Sequence, residues 1–399
     1  MAINTRQKQK IHRSLIARQV NRISPSGIRK FFDLIVSMEG VISLGVGEPD
    51  FATPWHIREA AIHSLEKGYT MYTSNLGMPE LRQELSRYLK DNYNLEYDPN
   101  VELLITVGVS EALDLATRAI LNPGDEVIMP DPHYVAYDSC VILAGGRPIM
   151  VPTNQENNFE ISAADVESRI NSKTKAILIG YPANPTGAVM PRHKLAQIAE
   201  VARHQQLLVI SDEIYAKLVY GAAHTCFATL PEMKERTILL GGFSKAYAMT
   251  GWRVGYAAAS REIIAAMTKI HQYTMMCAST MGQVAAIEAL KSGESSVTEM
   301  VEEYNKRRLL IVKGLNDIGL SCFEPRGAFY AFPSIKCTGM SSEEFAEKLL
   351  IEEKVAVVPG PAFGQCGEGY IRCCYAVSLT DIEEALSRMK RFVAKHKVT

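Results

Sequence analysis

With 399 residues, 47% of them apolar, the chain is long enough for two domains or one large α/β unit with an extensive core. Its 43 Lys and Arg residues against 44 Asp and Glu leave a formal net charge of -1, so no basic field favours nucleic acid or an anionic membrane surface. The start, MAINTRQKQKIHRSLIARQV, lacks the continuous apolar region of a signal peptide and no segment approaches a membrane span; eight cysteines without a CxxC spacing fit a reduced, cytoplasmic compartment better than a disulfide framework or zinc knuckle.

Along the chain, short runs rich in Val, Ile and Leu recur at 101–106 (VELLIT), 125–130 (DEVIMP), 147–152 (RPIMVP), 175–180 (KAILIG), 207–212 (LLVISD), 237–242 (TILLGG) and 254–259 (VGYAAA). Mostly separated by helical stretches, such runs predict a largely parallel sheet covered on both faces. Helices are predicted over 110–120, 193–204 and 261–270. From about Glu299 the texture changes. A long charged helix, VEEYNKRRLLIVKGLNDIG, leads into CFEPRGAFYAFPS, a helix over 342–352, the strand VAVVPG, the run GYIRCCYA and a last helix from Leu379. These elements suggest a smaller α+β domain over 299–399, joined by an N-terminal segment, 1–45, with a large domain over 46–298 between them.

The candidate chemistry stands at strand ends, where an open α/β sheet binds ligands. Gly108, Val109 and Ser110 follow VELLIT and open a helix, so backbone N–H groups and a hydroxyl could hold a phosphate there; a chain turn with Ser110 as a helix cap is the plainer account. In DPHYVAY, Tyr134 could cover one face of a flat heterocycle, or be a core tyrosine. Asn184, between the prolines of YPANPTG, sits in a constrained turn that could aim its amide at a ring oxygen.

Asp212 ends an apolar strand in SDEIY, where a carboxylate needs a cationic partner such as a protonated ring nitrogen. Glu213 is expected to point the other way as an exposed or structural carboxylate. Tyr215 offers a hydroxyl to a phenolic oxygen, or is a satisfied buried tyrosine. In GGFSKAYAMTGWRVGY, Lys245 lies among small residues after an apolar strand, and Arg253 follows eight positions later. A desolvated lysine can hold a carbonyl cofactor as a Schiff base, and the arginine fork suits an anionic phosphate; a surface Lys and Arg flanking a helix start is the plainer account. Arg372, on the apolar strand of GYIRCCYA, needs an anion: the α-carboxylate of an amino acid, or a structural salt bridge.

Taken together the chain resembles the fold-type I pyridoxal phosphate enzymes, specifically the class I/II aminotransferases related to aspartate aminotransferase. The resemblance covers nearly the whole length, through SLGVGEPDF (43–51), YTSNLGMPELR (72–82), YPANPTG (181–187), SDEIY (211–215), GFSKAYAMTGWRVG (242–255) and the Arg372 run. It implies an α/β fold: a large domain with a mainly parallel seven-stranded sheet plus a smaller α+β domain. It implies pyridoxal 5'-phosphate as cofactor, with Lys245 as Schiff-base lysine and proton shuttle and Asp212 as partner of the pyridine nitrogen. Tyr215 and Asn184 would meet the phenolic oxygen, and Tyr134 would stack on the ring. Val109, Ser110 and Arg253 would hold the phosphate, joined across a homodimer interface by Tyr72. Gly45 would offer backbone to a substrate carboxylate held by Arg372 and Asn184. Some members carry serine where this chain has Gly242, so one phosphate contact would be missing, and Ser244 is not assumed to replace it.

The reaction so implied is a ping-pong transfer of the amino group of an L-amino acid, aspartate or aromatic, to 2-oxoglutarate, without a metal. The patterns PRGAFYAFPS, HQYTMMCAS and VVPGPAFG resemble a microbial subgroup of broad aspartate and aromatic aminotransferases and enzymes of lysine-precursor synthesis. Phe329, Tyr330 and Tyr273 could line a wide pocket or pack in the core. A carbon–sulfur β-lyase is the rival activity on this fold. A ligand sensor attached to a DNA-binding module fits poorly, for want of a basic surplus.

Overall fold

The computed structural model describes residues 15–23 and 38–398. The seven apolar runs all become strands of one sheet: β2 (Leu103–Thr106), β3 (Glu126–Asp131), β4 (Arg147–Pro152), β5 (Thr174–Ile179), β6 (Leu208–Asp212), β7 (Thr237–Gly242) and β8 (Gly255–Ala258), after a short β1 (Ile42–Ser43) elsewhere. Their spatial order is β2-β8-β7-β6-β5-β3-β4, and all neighbours are parallel except β8, which runs antiparallel to both β2 and β7. The alternation of side chains explains why both faces are apolar: in β7, Ile238 and Leu240 enter one core cluster and Leu239 the cluster opposite.

Helices cover those faces. We number them α1 (Trp55–Glu66), α2 (Pro79–Tyr93), α3 (Gly108–Ile120), α4 (Ala136–Leu143), α5 (Ala163–Glu167), α6 (Arg192–His204), α7 (Arg261–Thr274), α8 (Thr280–Ser292), α9 (Glu294–Asp317), α10 (Ser342–Glu353) and α11 (Leu379–His396). The helix predicted from 110 begins two residues earlier, because Gly108, at φ +76°, turns the chain out of β2. The long charged helix starts at Glu294, and no helix among the described residues is long and apolar enough to cross a membrane.

The smaller α+β unit is built on β9 (Tyr330–Ala331), β11 (Val358–Pro359) and β12 (Ile371–Cys374), an antiparallel sheet in the order β11-β12-β9. Next to it β10 (Val355–Ala356) pairs in parallel with β1, which ties residues 42–43 to this unit. Phe345, Tyr375, Met389 and Phe392 fill the core between this sheet and α9, α10 and α11. Of the N-terminal segment 1–45, residues 1–14 and 24–37 lie outside the described residues. All eight cysteines are free thiols.

Candidate active site

The strands β2, β3, β5, β6 and β7 finish at one rim of the large sheet, and the chemistry collects there. At the end of β7 the chain passes through Gly242 into the turn that carries Lys245. Lys245 Nζ donates to the Gly47 carbonyl at 2.6 Å and forms no ion pair with a carboxylate among the described residues. Burial, helped by the nearby Arg372 and Arg253 charges, lowers its pKa to about 8. The amine therefore gives up its proton more readily than an ordinary lysine, and a minor neutral, nucleophilic fraction is available at physiological pH.

Asp212, the last residue of β6, is buried beside this amine but is not bonded to it. The cationic partner expected for it is not a protein side chain: its Oδ2 accepts from the Tyr137 hydroxyl at 2.8 Å and its Oδ1 from the Ile214 N–H at 3.1 Å. Burial raises its pKa to about 6 against the lowering effect of those two donors. Glu213 does point away, but it is buried rather than exposed. Its Oε1 accepts from the Ser211 hydroxyl at 2.8 Å and the Phe227 N–H at 3.1 Å, and Oε2 pairs with His224.

Two glycines shape the anion cradle at the start of α3. A Cβ on Gly108 would stand 2.5 Å from Arg253 Nη2, and one on Gly255 would stand 2.6 Å from the Gly108 carbonyl carbon. Only bare backbone lets Arg253 lie against the helix start, where the first N–H groups lack helical partners. Arg253 Nη1 donates to the Thr250 carbonyl at 3.0 Å and is otherwise available to an anion. Ser110 and Tyr134 line the cavity beside it.

From the smaller unit, Arg372 reaches the same space. Its Nη1 donates to Asn184 Oδ1 at 3.0 Å and its Nη2 to the Gly45 carbonyl at 2.6 Å, while the buried Nε has no hydrogen-bond partner. The structural salt bridge is absent: no carboxylate among the described residues pairs with this guanidinium. It is stacked between Tyr330 and Phe363, 4.5 and 4.8 Å from their ring centres. The engaged atom of Gly45 is its carbonyl, and its N–H lies 3.4 Å from Ser43 Oγ.

These groups enclose a cavity of about 440 Å³, within the range of small-molecule sites. The cations Lys245, Arg253 and Arg372 line it with Asp212 and Glu48 as the carboxylates, a charge arrangement made for a ligand with two anionic ends. Asn184, Tyr134, Tyr215, Val109 and Ser244 complete the wall. Tyr72 is outside it, 80% exposed, on a segment anchored where Thr280 donates to the Met71 carbonyl at 2.7 Å. Tyr273 is 87% exposed and does not line this cavity, and Phe329 is a core residue, so of these three aromatic candidates only Tyr330 reaches it. Sequence reasoning overlooked Tyr137 and the Tyr330 hydroxyl, which lies 2.7 Å from that of Tyr215. Tyr137 stood in the same run as Tyr134, but its partner is remote in sequence.

A model of the family "Aminotransferase class I and II" matches residues 39–389. The chain belongs to the class I and II aminotransferases. Among its relatives, an aspartate aminotransferase of Pyrococcus abyssi is 46% identical over 384 residues, covering 96% of this chain and 99% of that protein. An aromatic-amino-acid aminotransferase of Thermococcus litoralis is 44% identical over 383 residues, with 95% and 98% covered. The solved aspartate aminotransferase of Thermus thermophilus with maleate superposes with a TM-score of 0.90 at 36% identity, covering 94% of this chain and 99% of that one. The aminotransferase is thus a fold-type I enzyme, and the large and small units described above are the two parts of that fold.

Proposed function

We propose that this transaminase uses pyridoxal 5'-phosphate to move the amino group of L-aspartate or an aromatic L-amino acid to 2-oxoglutarate in two half-reactions, the first oxo acid leaving before the second binds. The observation that carries the reading is the cavity's charge pattern: a buried guanidinium and a half-buried amine, neither with a carboxylate partner among the described residues, facing a buried carboxylate that has spare acceptor capacity. Uncompensated buried charge is costly, so each of these groups is fitted to a charged partner brought by a ligand. The residues suit the cofactor: a phosphate for Arg253, Ser110 and the Val109 backbone, a protonated ring nitrogen for Asp212, and ring contacts for Tyr134, Tyr215 and Asn184.

When bound, the cofactor supplies an electron sink for the carbanion character that develops at the substrate α-carbon. Arg372 grips the substrate α-carboxylate through parallel charge-assisted bonds, with Asn184 beside it, and so fixes which α-bond is presented for cleavage. Lys245, displaced and neutral, takes the α-proton and returns it on the other side of the transfer. Tyr72, exposed on one protomer, is suited to close the phosphate site of a second copy in a cytoplasmic homodimer. The dicarboxylate acceptor agrees with a similar structure having been solved with maleate, and the donor classes agree with the names of the relatives.

The test is the visible spectrum of the purified protein while L-aspartate, L-tyrosine, L-phenylalanine, L-alanine and L-cystathionine are added singly, without oxo acid. Loss of the cofactor's visible band on adding aspartate or an aromatic amino acid, restored by 2-oxoglutarate, is expected. Steady pyruvate release from cystathionine with no such change would replace transfer by β-elimination.

A further inference from the structure

The Asp212 carboxylate is set by a group to which the family resemblance gave no role. Tyr137, in the first turn of α4, is buried and directs its hydroxyl onto Asp212 Oδ2 at 2.8 Å. Burial and the adjacent carboxylate push the tyrosine pKa well above its ordinary value, so it stays a proton donor throughout the working range. The hydroxyl has room only because residue 180, directly after β5, is glycine: a Cβ there would collide with the Tyr137 oxygen. Gly180 is not at positive φ, so the turn does not demand it; the space does. The ring is fixed from both sides, stacked on His133 at 6.1 Å with a 14° tilt and edge-on to Tyr134 at 5.7 Å.

We propose that Tyr137, seated in the space left by Gly180, is a positioning residue that keeps Asp212 ionised and oriented for the cofactor's ring nitrogen. This rests on the cofactor reading given above. A carboxylate deep in an apolar sheet tends to take up a proton, and a donated hydrogen bond favours its charged form. Around Asp212, Glu213 beside it opposes ionisation, Lys245 favours it, Tyr134 lies within its field, and the Tyr137 hydroxyl and Ile214 N–H are its direct donors. Around Tyr137 itself stand His133, Tyr134 and Tyr181. Of the two direct donors the backbone one is fixed by the chain, which leaves Tyr137 as the adjustable one.

The measurement is the dissociation constant of pyridoxal phosphate from the full-length protein, followed by absorbance between about pH 5 and 8, for wild type, Tyr137→Phe and Gly180→Ala. Asp212 must be ionised to pair with the ring, so affinity is lost as pH falls through its pKa; removing a donor raises that pKa and moves the loss to higher pH. Tyr137→Phe is expected to weaken binding about tenfold at neutral pH, the scale of one hydrogen bond to a charged group, and to shift the acid limb upward. Gly180→Ala, which keeps the tyrosine but takes its hydroxyl's space, should reproduce both effects, and the double variant should add little. If Tyr137→Phe does not fold by circular dichroism, Gly180→Ala decides alone. Wild-type affinity and an unmoved acid limb in the folded variants would overturn the positioning role while leaving the cofactor reading intact. A wild-type chain that takes up no pyridoxal phosphate would overturn both.

Discussion

Asp212 and Glu213 are adjacent, acidic and buried, yet one faces a cavity and the other a sealed pocket. Glu213 takes its partners from the chain itself: Ser211 and Phe227 donate to one oxygen, and His224 forms an ion-pair contact with the other. Asp212 has donors on each oxygen but no cation, and its remaining lone pairs open onto the site. The same contrast separates two buried arginines. Arg307 is closed by Asp50, at 2.8 Å to both carboxylate oxygens, whereas Arg372 has only neutral acceptors. In both comparisons the residue that lines the cavity is the one without an oppositely charged partner among the described residues, although all four are buried.

Variants can sharpen or break that contrast. Asp212→Asn should lower kcat/KM on the order of a thousandfold, the scale of a lost electrostatic partner at a reacting centre, with the melting temperature kept or raised. Glu213→Gln should do the reverse: breaking a buried pair costs about 3 kcal/mol, read as a lower denaturation midpoint, while the folded fraction keeps its turnover. The opposite pattern, an unstable Asp212→Asn and an inactive but stable Glu213→Gln, would abolish the distinction. Arg372→Lys keeps the charge but loses the fork, so KM for the amino acid should rise about tenfold in steady-state kinetics.

The amine gives a pH-dependent version. Because the Lys245 pKa is lowered to about 8, the neutral form grows as pH rises through that value. Stopped-flow uptake of pyridoxal phosphate by cofactor-free protein should accelerate over the same interval, and a midpoint above 10 would show an ordinary lysine. The smallest effect is at Gly242, where a Cβ would sit 2.9 Å from Val109 Cγ2 and 3.2 Å from Gly255 Cα. Gly242→Ser should therefore cost about 1 kcal/mol of stability by overpacking, relieved when combined with Val109→Ala, as thermal denaturation would report.

Much of this was readable in the sequence because local chemistry announced it. The apolar runs named all seven strands, and Lys245, Arg253 and Arg372 stood out as cations in apolar or small-residue settings. What was not readable depends on contacts between distant residues. Glu213 was placed at the surface or in a structural role because strand alternation says which way it points but not that His224 covers it. Tyr137 was passed over because nothing near it in sequence reveals Asp212 or the space above Gly180. The reversal of β8 was hidden as well, since a short run of Gly, Ala and Val carries no direction.

That reversal has a mechanical consequence. Since β8 runs back along β7, the connection between them leaves and re-enters the sheet at a single rim, and it carries both Lys245 and Arg253. The two cations are thereby fastened to one stiff loop with both feet in the same rigid sheet. Arg372 belongs to a different sheet, and its guanidinium is hydrogen-bonded to Asn184 and Gly45. A shift of the smaller sheet against the large one would therefore leave the spacing of Lys245 and Arg253 unchanged while altering their distance to Arg372. On the function proposed above, such a shift would loosen the grip on a departing product while the cofactor's anchors stay in place.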